Sequence, residues 1–70
     1  MKTRLLPDEL TTRQRDVLRL ICAENSTVQI AHILQISVNT VESHRKAMFR
    51  KLGIKNSAGL VKYAFEKNLL

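Results

Sequence analysis

The chain has 70 residues, with twelve Lys/Arg against six Asp/Glu and a formal net charge of +6. That is room for one small domain, and its core must be aliphatic, because aromatics make up only 4% and tryptophan is absent. The positive excess points to an anionic partner, the single cysteine excludes an internal disulfide or a Cys-rich zinc site, and the longest apolar run, Leu20 to Ala23, is far too short to span a membrane.

The chemistry of catalysis is missing as well. There is no Gly-rich phosphate loop, no defensible Ser/His/Asp arrangement and no room for an ordinary substrate pocket. His32 and His44 lie twelve residues apart with no second pair of ligands, so neither a metal nor any other cofactor is expected. The expectation is a non-enzyme, acting in the cytoplasm of a cell with reducing conditions. The charge is also uneven. Residues 1–36 carry five basic and four acidic side chains, whereas residues 37–70 carry seven and two. Arg45, Lys46, Arg50, Lys51 and Lys55 fall within eleven residues of one another.

Residues 1–9 read as a short extended lead-in, and residues 10–70 as one domain. Helical periodicity dominates from there, and no stretch alternates convincingly as a strand. The first helix is expected to start at Leu10-Thr11, with Thr11 as N-cap and Gln14 completing a capping box. Leu10, Val17, Leu18 and Ile21 share one arc of the wheel, with Cys22 at its edge and Arg13, Asp16 and Arg19 on the polar side. This helix should fade over Ala23-Glu24-Asn25. The second helix should follow Ser26, with Gln29 at its capping-box position. Ile30, Ile33 and Leu34 form its apolar face, beside small Ala31.

Gln35-Ile36-Ser37 reads as a tight connector. The third helix is expected over Val38 to Leu52, with Val38, Val41, Met48 and Leu52 on one face. Leu52-Gly53-Ile54 is a stop signal, because glycine takes the left-handed conformation and Ile54 can pack back on the last turn. The fourth helix starts at Asn56 or Ser57 and runs to about Lys67. Its apolar stripe is Leu60, Val61, Ala64 and Phe65.

Two helices joined by three residues, the second long and basic, suggest a helix-turn-helix. Ala31 sits where the second helix must approach closely, Ile36 plugs the turn, and Gln35 occupies the place of the usual turn glycine. Opposite the apolar face of the third helix, Asn39, Ser43, Lys46 and Arg50 form one stripe, with Glu42 and Ala47 on its flanks. Such a mixture of donors and acceptors suits the edges of bases in a major groove. A solvated polar face would also be hydrophilic; the motif spacing and the charge asymmetry favour the first reading.

These residues also carry a resemblance. Leu10-Thr-Thr-Arg-Gln-Arg-Asp-Val-Leu18 resembles the opening L-T-P-R-E-R-E-V-L of the LuxR-type (GerE/FixJ/NarL-like) DNA-binding domains of bacterial transcription regulators. Ser26-Thr-Val-Gln-Ile-Ala31 resembles S-N-K-E-I-A of that family. Ile36-Ser-Val-Asn-Thr-Val-Glu-Ser-His-Arg45 resembles I-S-x-x-T-V-x-x-H-R, and Arg50-Lys-Leu-Gly-Ile54 resembles R-K-L-G-V. The four blocks run in order, and the resemblance covers roughly residues 10–70. Departures are Thr12 for proline, Glu24-Asn25 for Gly-Leu, Val28 for a basic residue, and Gln14 and Gln29 for acidic ones. With the glycine gone, Asn25 is expected to supply the left-handed cap.

The resemblance implies an all-α, compact tetrahelical domain with the third helix in the major groove, binding duplex DNA as a transcription regulator. It implies base contacts from Glu42, Ser43 and Lys46, with Asn39 and Arg50 as further candidates. Backbone contacts are expected from Thr40, Arg45, Lys51 and Lys55. It also implies a homodimer through helix four, with Ala58, Val61, Lys62 and Phe65 at the interface and Leu60 and Ala64 facing the core. The context would be the effector domain of a two-component response regulator or a stand-alone member, close to the bacterial nucleoid and within reach of RNA polymerase.

Several residues keep two readings at this point. Arg45 lies near the apolar arc, where a salt bridge to Asp16 competes with a phosphate contact. Val61 and Phe65 fit either a dimer interface or ordinary core. His44 is structural or a phosphate neighbour, His32 a surface residue, and Cys22 a small core residue rather than a redox switch. The alternative for the whole chain is a helix-turn-helix used as a protein-interaction module acting through helix four.

Overall fold

Each helix begins on a hydrogen-bonding side chain. In a computed structural model, which describes residues 10–68, these helices are α1 (Thr12–Cys22), α2 (Thr27–Leu34), α3 (Val38–Leu52) and α4 (Ser57–Glu66). The expected lead-in over residues 1–9 lies outside the described residues. Thr11, Ser26, Ser37 and Asn56 each accept the backbone N–H three residues on, at 2.9–3.1 Å. Gln14 and Gln29 reach back to the cap backbone at 2.9 and 2.7 Å, so both expected capping boxes form. A cap of this kind contributes on the order of 1 kcal/mol, which matters in a domain this small.

The helix ends are more unusual. At the end of α1 the Glu24 N–H donates to the Ile21 carbonyl and the Asn25 N–H to the Leu20 carbonyl. That is the Schellman pattern, and it places Glu24, not Asn25, in the left-handed region at φ +66°. The expectation for Asn25 is thereby corrected. Because the helix runs to Cys22, the left-handed position falls one residue earlier, and Asn25 instead sends its side-chain amide to the Leu20 carbonyl at 3.0 Å. The same pattern closes α2, with Gln35 left-handed at φ +58° and the Ile36 N–H on the Ala31 carbonyl. Only α3 uses glycine, Gly53 at φ +67°, with the Ile54 N–H on the Phe49 carbonyl at 3.0 Å.

A side chain in this conformation crowds its own backbone, and glycine does not. Glu24→Gly and Gln35→Gly should therefore each stabilise the fold by about 0.5–1 kcal/mol, raising the melting temperature by several degrees. Thermal unfolding followed by circular dichroism checks this. An unchanged or lowered midpoint for both variants would contradict the geometry.

The apolar faces converge on α1, which packs against α2, α3 and α4, while α2 also packs on α3. The core holds Leu10, Val17, Leu18 and Ile21 with Ile30, Ala31, Val41, Met48, Leu60 and Ala64. Leu20, Cys22, Leu34, Ile36, Phe49, Leu52, Ile54 and Tyr63 ring it, half-buried. Burial pushes the Cys22 thiol up, as suits a small packing residue rather than a reactive one. Gly59 has a steric role, since a Cβ there would lie 2.5 Å from Ile54 Cγ2; its absence lets Ile54 fold back under the first turn of α4.

Four apolar residues do not join the core as the wheel suggested. Ile33 is 51% exposed and Val38 42%, because α2 and the start of α3 are covered only on the sides that face α1 and each other. Val61 and Phe65 are exposed too, Phe65 at 75%, whereas Leu60 and Ala64 are fully buried. The alternative that Val61 and Phe65 are ordinary core is excluded; they lie on the side of α4 that turns away from α1.

Candidate nucleic-acid interface

Packing α3 by Val41 and Met48 decides what it shows outward. Both are fully buried, so the opposite side, with Asn39, Ser43, Lys46 and Arg50, is exposed. These four residues stand at i, i+4, i+7 and i+11, one continuous stripe along a helix of fifteen residues. Lys46 and Arg50 take part in no ion pair among the described residues, so their donors remain available to an external acceptor. The stripe predicted from the wheel is thus assembled on the surface.

Backbone-contact candidates cluster around it. Thr40 is exposed in the first turn of α3, its Oγ1 2.9 Å from Ser37 Oγ. With the N-terminal end of α3 beside it, it offers the donor-rich setting that phosphate oxygens favour. Lys51 is exposed at the other end, and its Nζ donates to Gln14 Oε1 at 3.2 Å. Lys55 is exposed in the link before α4.

Arg45 and Glu42 also make contacts within the domain. Arg45 does not reach Asp16, which pairs with Arg13 at 3.4 Å one turn away on α1. Arg45 leans toward α4 instead. One terminal nitrogen donates to Ser57 Oγ at 2.9 Å, its Nε lies 3.6 Å from Glu42 Oε1, and its guanidinium sits 5.6 Å from the Phe49 ring centre. The Nε is buried and without a hydrogen bond, which makes Glu42 its principal compensating charge. Arg45 is thus largely committed within the domain. Glu42 is likewise held, because its Oε2 accepts from Thr27 Oγ1 at 3.2 Å.

Sequence reasoning missed Thr27, Ser57 and Phe49 as members of this surface. Phe49 stands four residues after Arg45, a helical spacing that could have signalled the stacking. The Thr27–Glu42 and Arg45–Ser57 contacts join different helices and leave no local pattern. His44 is half-buried and His32 exposed, and among the described residues no group of His, Cys, Asp or Glu is arranged to hold a metal. No helix among the described residues is long and apolar enough to cross a membrane.

Comparison with known proteins agrees with this geometry. Residues 8–64 match the family described as bacterial regulatory proteins, luxR family. The chain is 46% identical to the transcriptional regulatory protein MctR of Rhizobium johnstonii over 63 residues, which are 90% of this chain and 29% of that protein. It is 41% identical to the oxygen regulatory protein NreC of Staphylococcus aureus over 61 residues, 87% of this chain and 28% of that one. The chain therefore spans less than a third of the length of these relatives. The match over most of its length shows that the chain belongs to the luxR family of bacterial regulatory proteins, and its capped four-helix fold is that of the family's helix-turn-helix DNA-binding domain.

Proposed function

We propose that the domain reads a specific duplex sequence with α3 lying in the major groove. The observation that carries this is the exposed stripe of Asn39, Ser43, Lys46 and Arg50 opposite the buried Val41 and Met48. Lys46 and Arg50 donate to guanine O6 and N7, Asn39 pairs with an adenine edge, and Ser43 serves either donor or acceptor. Thr40, Lys51 and Lys55 hold phosphates and set the register, with the first turn of α3 beside them. Arg45 adds a phosphate contact through the guanidinium edge that Ser57 and Glu42 leave open. Glu42 accepts from a cytosine amino group with the lone pairs its two internal contacts leave.

Two copies would act together through α4. Phe65 and Val61 are apolar and exposed on one side of that helix, with Ala58 and Lys62 exposed alongside. A second copy related by a two-fold axis would cover this strip and place two reading helices on one duplex. The same strip is what a protein-docking module, or a contact with RNA polymerase, would use; the basic stripe on α3 has no role in such a module, which favours DNA reading. The similarity to longer regulators supports a place as the output part of a response regulator, or as a stand-alone regulator, working in the bacterial cytoplasm at the nucleoid.

Selection of bound sequences from a random duplex pool tests the reading. The expected result is one motif present as two paired half-sites, with Phe65→Glu selecting a single half-site and sedimenting with one copy per duplex. Recovery of no motif at all would end the sequence-reading proposal. Paired half-sites retained by Phe65→Glu would end the dimer.

A further inference from the structure

Glu42 is the one acidic side chain of α3, and it stands beside a surface that must approach a polyanion. Left free, it would repel phosphates or swing among several bases. In the structure one of its oxygens is hydrogen-bonded within the domain and the other lies beside a cation. Oε2 accepts from Thr27 Oγ1 at 3.2 Å, and Oε1 faces Arg45 Nε at 3.6 Å. Thr27 is the first residue of α2 and lies fifteen residues away in sequence. Its hydroxyl belongs to no cap, since Ser26 already serves that purpose. Arg45 is in turn tied to Ser57, the first residue of α4, at 2.9 Å. A chain of polar contacts thus runs from the start of α2, across the reading helix, to the start of α4.

We propose that Thr27 is a specificity-determining positioning residue of the DNA interface, which acts by clamping the Glu42 carboxylate in one orientation. This rests on the reading of α3 as the base-contacting helix. A carboxylate has about four lone-pair sites on its two oxygens, so the two internal contacts leave acceptors still directed outward. Held still, those acceptors suit the amino group of a cytosine at one position only. Without the Thr27 hydroxyl, the carboxylate turns about its side-chain bonds and the preference at that position flattens. Thr27 itself reaches no base, and its effect passes entirely through Glu42.

The test is position-resolved binding of the full chain to its selected duplex and to single-base variants of it. Thr27→Val keeps the shape of the side chain and removes the donor. The expected result is a loss of about tenfold discrimination at one base pair, with the other positions unchanged and the same salt dependence as the original. Thr27→Ser, which retains the hydroxyl, restores the preference. Glu42→Ala flattens the same position, and adding Thr27→Val to it changes nothing further, because both act on one contact. The proposal is overturned if Thr27→Val leaves every position intact, if it weakens all sequences equally, or if Thr27→Ser fails to rescue. Should the original chain show no base preference at all, it is the DNA-reading proposal that falls, which separates the two failures.

Discussion

Lys46→Ala should relax the preference for one base pair while leaving binding to random DNA almost untouched. Lys46 is exposed in the middle of the α3 stripe and forms no ion pair among the described residues, so its removal disturbs nothing inside the domain. A lysine donating to guanine O6 and N7 is worth about 1–3 kcal/mol of discrimination, or roughly 5- to 150-fold in the ratio of specific to altered site. Lys51→Ala makes the contrasting case. A phosphate contact carries no base information, so every sequence should lose affinity alike, and the slope of log K against log salt should fall by about 1. Lys51 also donates to Gln14, but Gln14 keeps the Thr11 N–H, so the α1 cap survives. Equal loss on specific and random duplexes for Lys46→Ala would move that residue from the bases to the backbone.

Leu60→Ala is expected to have the largest effect on stability. Leu60 is fully buried, and with Ala64 it forms the buried part of α4 that meets α1. Removing a buried leucine side chain costs about 2–5 kcal/mol through lost transfer energy and the cavity left behind. A domain of this size has little stability in reserve, and each kcal/mol is worth about 4–8 °C, so the midpoint should drop by roughly 10–40 °C. Ile33→Ala is the control. That side chain is half exposed, and its loss should stay below about 1 kcal/mol. Denaturant titrations of the two variants settle the contrast, and a loss under about 1 kcal/mol for Leu60→Ala would mean that α4 is not held by its buried face.

Much of this molecule was legible before its fold was known, and the pattern of what was not is instructive. The caps at Thr11 and Ser26 could be read because a cap is a local event, decided by residues three apart. The stripe on α3 could be read because the period of a helix alone sets it. Burial at Ile33 and Val38 could not, since a wheel gives the direction of an apolar residue and not whether another helix lies there. The left-handed position at the end of α1 falls on Glu24 and not on Asn25, because it depends on which turn closes last. The wheel offers Arg45 either Asp16 or a phosphate, whereas the folded chain gives it Ser57, which lies on α4 and becomes its neighbour only after folding. The link from Thr27 to Glu42 is of the same kind. Contacts between helices, which carry the interface's finer chemistry, leave no trace in local pattern.

The aliphatic core has a consequence for how this domain can be watched. Tyr63 is the only tyrosine and there is no tryptophan, so one ring supplies nearly all intrinsic fluorescence. That ring belongs to α4 and packs half-buried against the core. Its emission therefore reports the docking of α4, while far-ultraviolet ellipticity sums all four helices. If the tyrosine signal changes at lower denaturant than the ellipticity, α4 leaves before the helix-turn-helix opens; if they coincide, the four helices melt as a single cooperative unit.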